Sequence, residues 1–156
     1  MIQDVVRAWH QLVRGEVAGD RDAFLTQLLA EDVVFYSPVV FTPQKGRDIT
    51  KLYLQAAAAT FDAAPEGGAA PGGPGGFRYT KELVVGNQAA LEFETRMGGK
   101  YVNGIDIIEC NDAGRIIEFR VMIRPLQAVQ AVHAAMGAML QQRGDPPAGT
   151  GSGRLP

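Results

Sequence analysis

The amino-acid sequence predicts one α+β domain, a cone in which helices wrap a curved antiparallel meander sheet. Three observations predict this fold class. Apolar residues recur at helical spacing in three segments before residue 62, and four long strand-like segments joined by short turns follow between residues 77 and 123. The chain has 156 residues, 46% of them hydrophobic, which suits a single domain with its own core. Helices and strands that are segregated in this way are typical of α+β proteins.

Three N-terminal helices and an extra C-terminal helix are predicted from apolar residues three and four positions apart. The apolar stripes lie at residues 5–13, 24–29, 49–61 and 126–140. Asp20 is a residue type that caps helices well, and Pro125 can open the last helix. A short strand over residues 33–37, halted by Pro38, separates the second helix from the third.

The predicted meander contains four strands. They span residues 77–85, 89–97, 101–110 and 115–123. Gly86-Asn87, Gly98-Gly99 and Asn111–Gly114 supply the turns between them. Strands joined by turns this short must pair antiparallel.

Two segments are rich in Gly and Pro and are not expected to pack. Residues 65–76 interrupt the domain, which we predict to span residues 1–143, and residues 144–156 form the predicted disordered tail. The interrupting segment is interpreted as either a lid over a pocket or a flexible connector.

Composition excludes several classes of function. A net charge of −2 without a run of Lys or Arg argues against nucleic-acid binding. Cys110 is the only cysteine, so neither an intramolecular disulfide nor a four-thiolate metal site is possible. Histidine spacing indicates no metal, and no cofactor is predicted. No apolar run is long enough for a membrane span and the N-terminus does not look like a signal peptide, so a cytoplasmic protein without a membrane partner is expected.

One stretch of the sequence resembles a known family. Ile105-Asp106-Ile107-Ile108-Glu109-Cys110-Asn111-Asp112-Ala113-Gly114-Arg115-Ile116 is similar to the penultimate hairpin of bacterial ketosteroid isomerases. Residues 2–37 resemble the same family in the order of their elements. Limonene epoxide hydrolases, SnoaL-like polyketide cyclases and nuclear transport factor two share this order. The resemblance implies a cone-shaped fold with a pocket inside it.

The resemblance carries over only part of the isomerase machinery. The family's protonated Asp falls on Asp106, its Tyr donor on Trp9, and its carboxylate base on Ser37. Because Ser37 cannot act as a carboxylate base, steroid isomerisation is not expected. The Asp–Arg–Asp set of the epoxide hydrolases falls on Val121 and near Leu91 and Phe93, so that chemistry is disfavoured too. A lone pocket Asp is compatible with a SnoaL-like cyclase.

Strand alternation places Asp106 on one face of its strand with Gly104, Ile108 and Cys110. The family register implies that this face looks into the cone. The predicted ligand-binding residues are Trp9, Phe35, Ser37, Leu91, Phe93, Thr95, Met97, Ile108, Phe119, Val121 and Ile123. Apolar neighbours should raise the pKa of Asp106 and make it the candidate catalytic acid or base. The alternative is a structural Asp106 that accepts a bond from Trp9 or a buried water.

The opposite face of the sheet carries charges of alternating sign. They are Glu92, Glu94, Arg96, Glu118, Arg120 and Arg124. Together with the stripe at residues 126–140, they lead us to expect a homodimer.

Two functions remain open. The chain either binds an apolar, ring-containing small molecule, with Asp106 as the candidate for proton transfer, or is a non-catalytic dimeric binding or assembly module with a filled core. A cavity of roughly 300 Å³ or more favours the first.

Overall fold

The computed structural model describes residues 1–62 and 76–142, and within these ranges the chain forms four helices and six strands. They are α1 (Ile2–Val13), α2 (Arg21–Leu28), β1 (Leu29–Tyr36), β2 (Gln44–Lys45), α3 (Arg47–Asp62), β3 (Arg78–Val85), β4 (Gln88–Met97), β5 (Lys100–Cys110), β6 (Ile116–Arg124) and α4 (Leu126–Gln142). The predictions for residues 144–156, and for residues 65–76 apart from Gly76, lie outside the described residues. The predicted α+β class is confirmed.

The strands form one sheet in the order β2-β1-β6-β5-β4-β3. Strands β3 to β6 are the predicted antiparallel meander, but β1 runs parallel to β6 and makes the sheet mixed. The four-strand antiparallel meander is confirmed, and the parallel pairing of β1 is a feature that was not predicted from the sequence. Only a short connection forces antiparallel pairing, and β1 is separated from β6 by α3 and the whole meander, so their relative direction is set by tertiary packing.

Residues on one face of the meander are buried and those on the other are more exposed. Phe93 lies opposite Gly104, Leu91 opposite Asp106, and Asp106 opposite Val121, all on the concave face. In β4, burial alternates residue by residue from Ala89 to Thr95. The concave face is therefore the one that the alternation assigned to Asp106.

Strand β3 contains a bulge that changes which side chains reach the concave face. Tyr79 pairs with Phe93 and Glu82 pairs with Leu91, with the register shifting between Tyr79 and Lys81. One extra residue in a strand switches the face of everything after it. Tyr79 and Glu82, three positions apart, therefore both lie on the concave side.

All four helices contribute to the core on the concave side. Helix α1 contacts β4 and β5, whereas α4 contacts β4, β5, β6 and α3. In α4, Val132, Met136 and Leu140 are buried in the core, whereas Leu126 is 71% exposed and His133 is exposed. Met136 and Leu140 of the predicted stripe therefore belong to the core and not to a dimer contact, while Leu126, at its start, lies on the surface. No helix in the described ranges is both long and apolar enough to cross a membrane.

Candidate functional site

A cavity of about 400 Å³ lies between the concave face of the sheet and the helices. This volume is within the range of sites that hold small molecules. Seven of its lining residues are aromatic: Trp9, Phe35, Phe61, Phe77, Tyr79, Phe93 and Phe119. Asp106 and Tyr79 bring polar groups from the sheet, and Arg21, Asp22 and Gln55 bring polar groups from α2 and α3. The site is thus an apolar chamber with a few polar groups.

Seven of the predicted site residues line this cavity. They are Trp9, Phe35, Phe93, Asp106, Phe119, Val121 and Ile123. They come from α1, β1, β4, β5 and β6, so the structure brings distant parts of the chain together. Trp9 packs against Phe119 with ring centroids 4.9 Å apart, which joins α1 to the last strand.

The other five predicted residues lie away from the cavity wall. Leu91, Thr95 and Ile108 are buried, and Met97 packs against the core. They share the concave face, but α1 and α4 lie across the same strands and fill the space above them. The alternation of side chains along a strand predicts which face of the sheet a residue lies on. It does not predict which part of that face is left uncovered by the helices.

Ser37 also lies off the cavity wall. Its Oγ accepts a hydrogen bond from the backbone N–H of Val39 at 3.2 Å, and the adjacent Pro38 lines the cavity instead. The position expected to hold a base in the isomerases is therefore a small hydroxyl engaged in a local turn.

Asp106 stands at the end of a chain of hydrogen bonds. The Tyr79 hydroxyl donates to Asp106 Oδ2 at 2.6 Å, and the Trp9 indole N–H donates to the Tyr79 oxygen at 2.7 Å. Asp106 is only 5% exposed. The structural alternative had assumed a direct hydrogen bond from Trp9 to Asp106. In the structure the two residues are connected through the Tyr79 hydroxyl instead.

Burial dominates the electrostatics of this carboxyl. Desolvation raises the pKa of Asp106 from 3.8 to about 7, against the opposing effect of the Tyr79 hydrogen bond. Burial and the neighbouring Asp106 charge keep the pKa of Tyr79 well above its ordinary value, so the phenol stays protonated. A carboxyl with a pKa near 7 can both give and take a proton in neutral solution.

Tyr79 is the functional candidate that the sequence analysis missed. Phe77, immediately before β3, and Tyr79 within β3 are two positions apart, and this spacing is the available signal for two aromatic side chains on one face. His10 of α1 supports Tyr79 from outside the cavity. Its ring packs edge-on against the Tyr79 ring with centroids 5.0 Å apart, and its Nε2 contacts a carboxylate oxygen of Glu82.

Aromatic packing forms one wall of the cavity around a glycine. The Phe77 and Phe93 rings stack with centroids 4.9 Å apart, and Phe61 lies within 6.0 Å of both. The ring of Phe93 occupies the space where Gly104 lacks a side chain. Glycine at residue 104 therefore lets an aromatic ring lie directly on the backbone of β5.

The described part of the chain contains no group of three or more His, Cys, Asp or Glu side chains that could hold a metal ion. Cys110 is buried, and burial raises the pKa of its thiol. The thiol therefore behaves as a small apolar side chain.

Within the described residues, the mixed curved sheet, the four helices and the cavity between them define an α+β protein of the nuclear transport factor two-like fold. A steroid delta-isomerase from Pseudomonas aeruginosa is similar to the chain, with a TM-score of 0.76 and 29% identity over 91% of this chain and 93% of that one. An uncharacterized protein with a cystatin-like fold from Silicibacter pomeroyi matches with a TM-score of 0.69 and 28% identity, over 85% and 82%.

A nuclear transport factor two-like protein of unknown function from Mesorhizobium loti has a TM-score of 0.60 at 21% identity, over 80% of this chain and 91% of that one, and this likeness shows the fold alone. No protein-family model and no curated protein sequence matches the chain. The likeness to the steroid delta-isomerase and the shared fold place the chain with the ketosteroid-isomerase-like and nuclear transport factor two-like proteins, as the resemblance predicted.

Proposed function

We propose that this protein binds an apolar, ring-containing small molecule in the cavity and that Asp106 transfers a proton to or from it. One observation carries the proposal: a buried carboxyl, held by Tyr79, lines an otherwise mainly apolar cavity of about 400 Å³. Buried carboxyls with a raised pKa are concentrated at functional sites. The reaction class is a proton transfer of the isomerase or cyclase type.

The steroid isomerase reaction itself is not part of the proposal. The activity named for the Pseudomonas aeruginosa protein is a property of that protein. In this chain Ser37 supplies no carboxylate base, and the Trp9 N–H already donates to Tyr79 and is not free to bind a ligand oxygen. A SnoaL-like proton transfer that needs a single acid is the better fit.

The alternative is a non-catalytic dimeric module with a filled core. The cavity volume exceeds the roughly 300 Å³ that separates the two functions, and it therefore supports the binding protein. For both functions we propose that the protein is cytoplasmic, and this proposal rests on the amino-acid composition alone.

Ligand binding can be measured through Trp9, which is the only tryptophan and lies in the cavity wall. We expect a saturable change in its fluorescence when bicyclic or tricyclic apolar compounds are titrated into the protein. Ala57 belongs to α3 and lines the cavity. Ala57→Leu should weaken ligand binding at least about tenfold, because the larger side chain occupies space that the ligand needs. The matched control is Ala134→Leu on the exposed face of α4. No saturable change with any such compound would contradict the proposed function.

We further propose that the convex face of the sheet joins two copies of the chain. On this face Met122 is 51% exposed, and Arg120 lies over the Tyr36 ring at 3.9 Å and pairs with Glu118. Sedimentation at micromolar concentration should give twice the monomer mass of 16.7 kDa. Met122→Glu should shift the protein to the monomer, whereas Phe41→Glu, in the exposed loop between β1 and β2, should not. A native protein that sediments only as a monomer would refute the dimer.

A further inference from the structure

The hydrogen bonds at Asp106 have a fixed direction. An indole N–H can donate but cannot accept. Trp9 therefore uses the Tyr79 oxygen as an acceptor, at 2.7 Å, and the single Tyr79 proton has to point elsewhere. Within residues 1–62 and 76–142, Asp106 Oδ2 at 2.6 Å is the acceptor that receives it. The whole chain of donors runs from Trp9 through Tyr79 to the carboxyl.

This direction determines what Asp106 offers to the cavity. A hydrogen bond donated to a carboxylate is charge-assisted and favours the ionised form over the protonated one. In the part of the chain that the structure describes, no hydrogen bond reaches the other carboxyl oxygen, and Asp106 lines the cavity. When Asp106 is ionised, that oxygen presents only lone pairs to a ligand.

We propose that the ligand group recognised at Asp106 is a hydrogen-bond donor, a hydroxyl or N–H on an apolar ring, and not a ketone. This inference rests on the proposed function and names the ligand class for the same site. A ketone carries only acceptor lone pairs, so it can bind well only when Asp106 is protonated. A hydroxyl donates to the carboxylate and can also accept from the protonated carboxyl, so it suits both states.

The two ligand classes therefore respond oppositely to pH. Ionisation of Asp106, whose pKa is about 7, removes the form of the site that a ketone needs. The affinity for a ketone falls in proportion to the fraction of protein in which Asp106 is protonated. With a pKa of about 7, this fraction is about one hundredth at pH 9, so a ketone should bind about a hundredfold more weakly there than at low pH. The affinity of an alcohol should be retained or rise over the same interval.

The experiment compares trans-2-decalol with trans-2-decalone, which share a carbon skeleton and do not titrate in this range. Dissociation constants are measured between pH 5 and pH 9 by Trp9 fluorescence and by calorimetry. We expect the alcohol to bind more tightly than the ketone at pH 8 and above. In Asp106→Asn the Tyr79 hydroxyl should donate its hydrogen bond to the amide oxygen, which orients the amide N–H₂ towards the cavity. This variant should bind the ketone without pH dependence.

The possible failures can be told apart. A ketone that binds the native protein at pH 8 as tightly as the alcohol would overturn the donor inference and leave the proposed function standing. The absence of saturable binding by either compound would overturn both. A pH dependence of ketone binding that survives in Asp106→Asn would show that another group controls recognition, and would also overturn the inference.

Discussion

Replacing Asp106 with Asn should raise the free energy of unfolding at pH 8 by up to about 4 kcal/mol. The pKa of Asp106 rises from 3.8 to about 7 on folding, and each pH unit corresponds to about 1.4 kcal/mol. Asn keeps the shape and can still accept the Tyr79 hydrogen bond, but it carries no charge to be desolvated. Urea denaturation of both proteins between pH 4 and pH 8 measures the difference.

The sign follows from proton binding. Between pH 4 and pH 7 the folded protein holds the Asp106 proton while the unfolded chain releases it, so native stability falls as pH rises across this window. The gain from Asn should be near zero at pH 4, grow through the window and level off above pH 7. If the Asn variant were less stable by roughly 1–3 kcal/mol at both pH 5 and pH 8, Asp106 would be a structural carboxylate whose loss leaves a partner unsatisfied.

Asp22 supplies a control of opposite sign. Its hydrogen bond with Lys51, followed by that with Gln55, lowers the pKa of its exposed carboxyl. The ionised form is therefore favoured by folding, and its contribution to stability is lost as pH falls through the folded pKa. Asp22→Asn should lose stability relative to the native protein as pH rises, and Asp106→Asn should gain it.

Gly104→Ala should destabilise the protein by about 2–3 kcal/mol, although it adds a single carbon atom. A Cβ at this position would lie 2.7 Å from Cε1 of the Phe93 ring and 2.9 Å from the backbone oxygen of Met122. The ring is held by Phe77 and the carbonyl belongs to the neighbouring strand, so neither can move freely. Since Phe93 lines the cavity, the same change should weaken ligand binding.

Gly137→Ala is the matched control for this substitution. Gly137 lies within α4, and a Cβ there would meet no atom within 4 Å. Alanine in a helix interior is favoured over glycine, so the variant should gain about 0.5–1 kcal/mol. Thermal or urea unfolding of the two variants should shift in opposite directions. A Gly104→Ala protein as stable as the native one would show that the Phe93 ring can leave the strand at little cost.

The features of the fold that sequence could predict are those with a local cause. Periodicity places α1 through Trp9 and Leu12, and turn residues such as Gly86 and Gly98 delimit the strands of the meander. The direction of β1 depends on tertiary packing against β6, which leaves no local trace. The two-residue strand β2 is too short to show a period.

The candidate site divides in the same way. Asp106 could be located because alternation and the hairpin resemblance agree on its face. Leu91 and Ile108 share that face but lie in the core, because the position of a helix across a sheet is decided by packing. Tyr79 was not predicted because the bulge after it interrupts the alternation of side chains along β3. Its hydrogen bonds with Trp9 and Asp106 join residues that are far apart in the sequence.

The bulge in β3 also constrains how this chain can diverge. Tyr79 and Glu82 both reach the concave side only because one extra residue lies between them. Point substitutions at the exposed Leu83 or Val85 leave this spacing unchanged, but an insertion or deletion of one codon between residues 79 and 82 would turn one of the two side chains outward. Among descendants that keep this site, we expect the spacing of three between the tyrosine and the glutamate to outlast the identity of the residues around it.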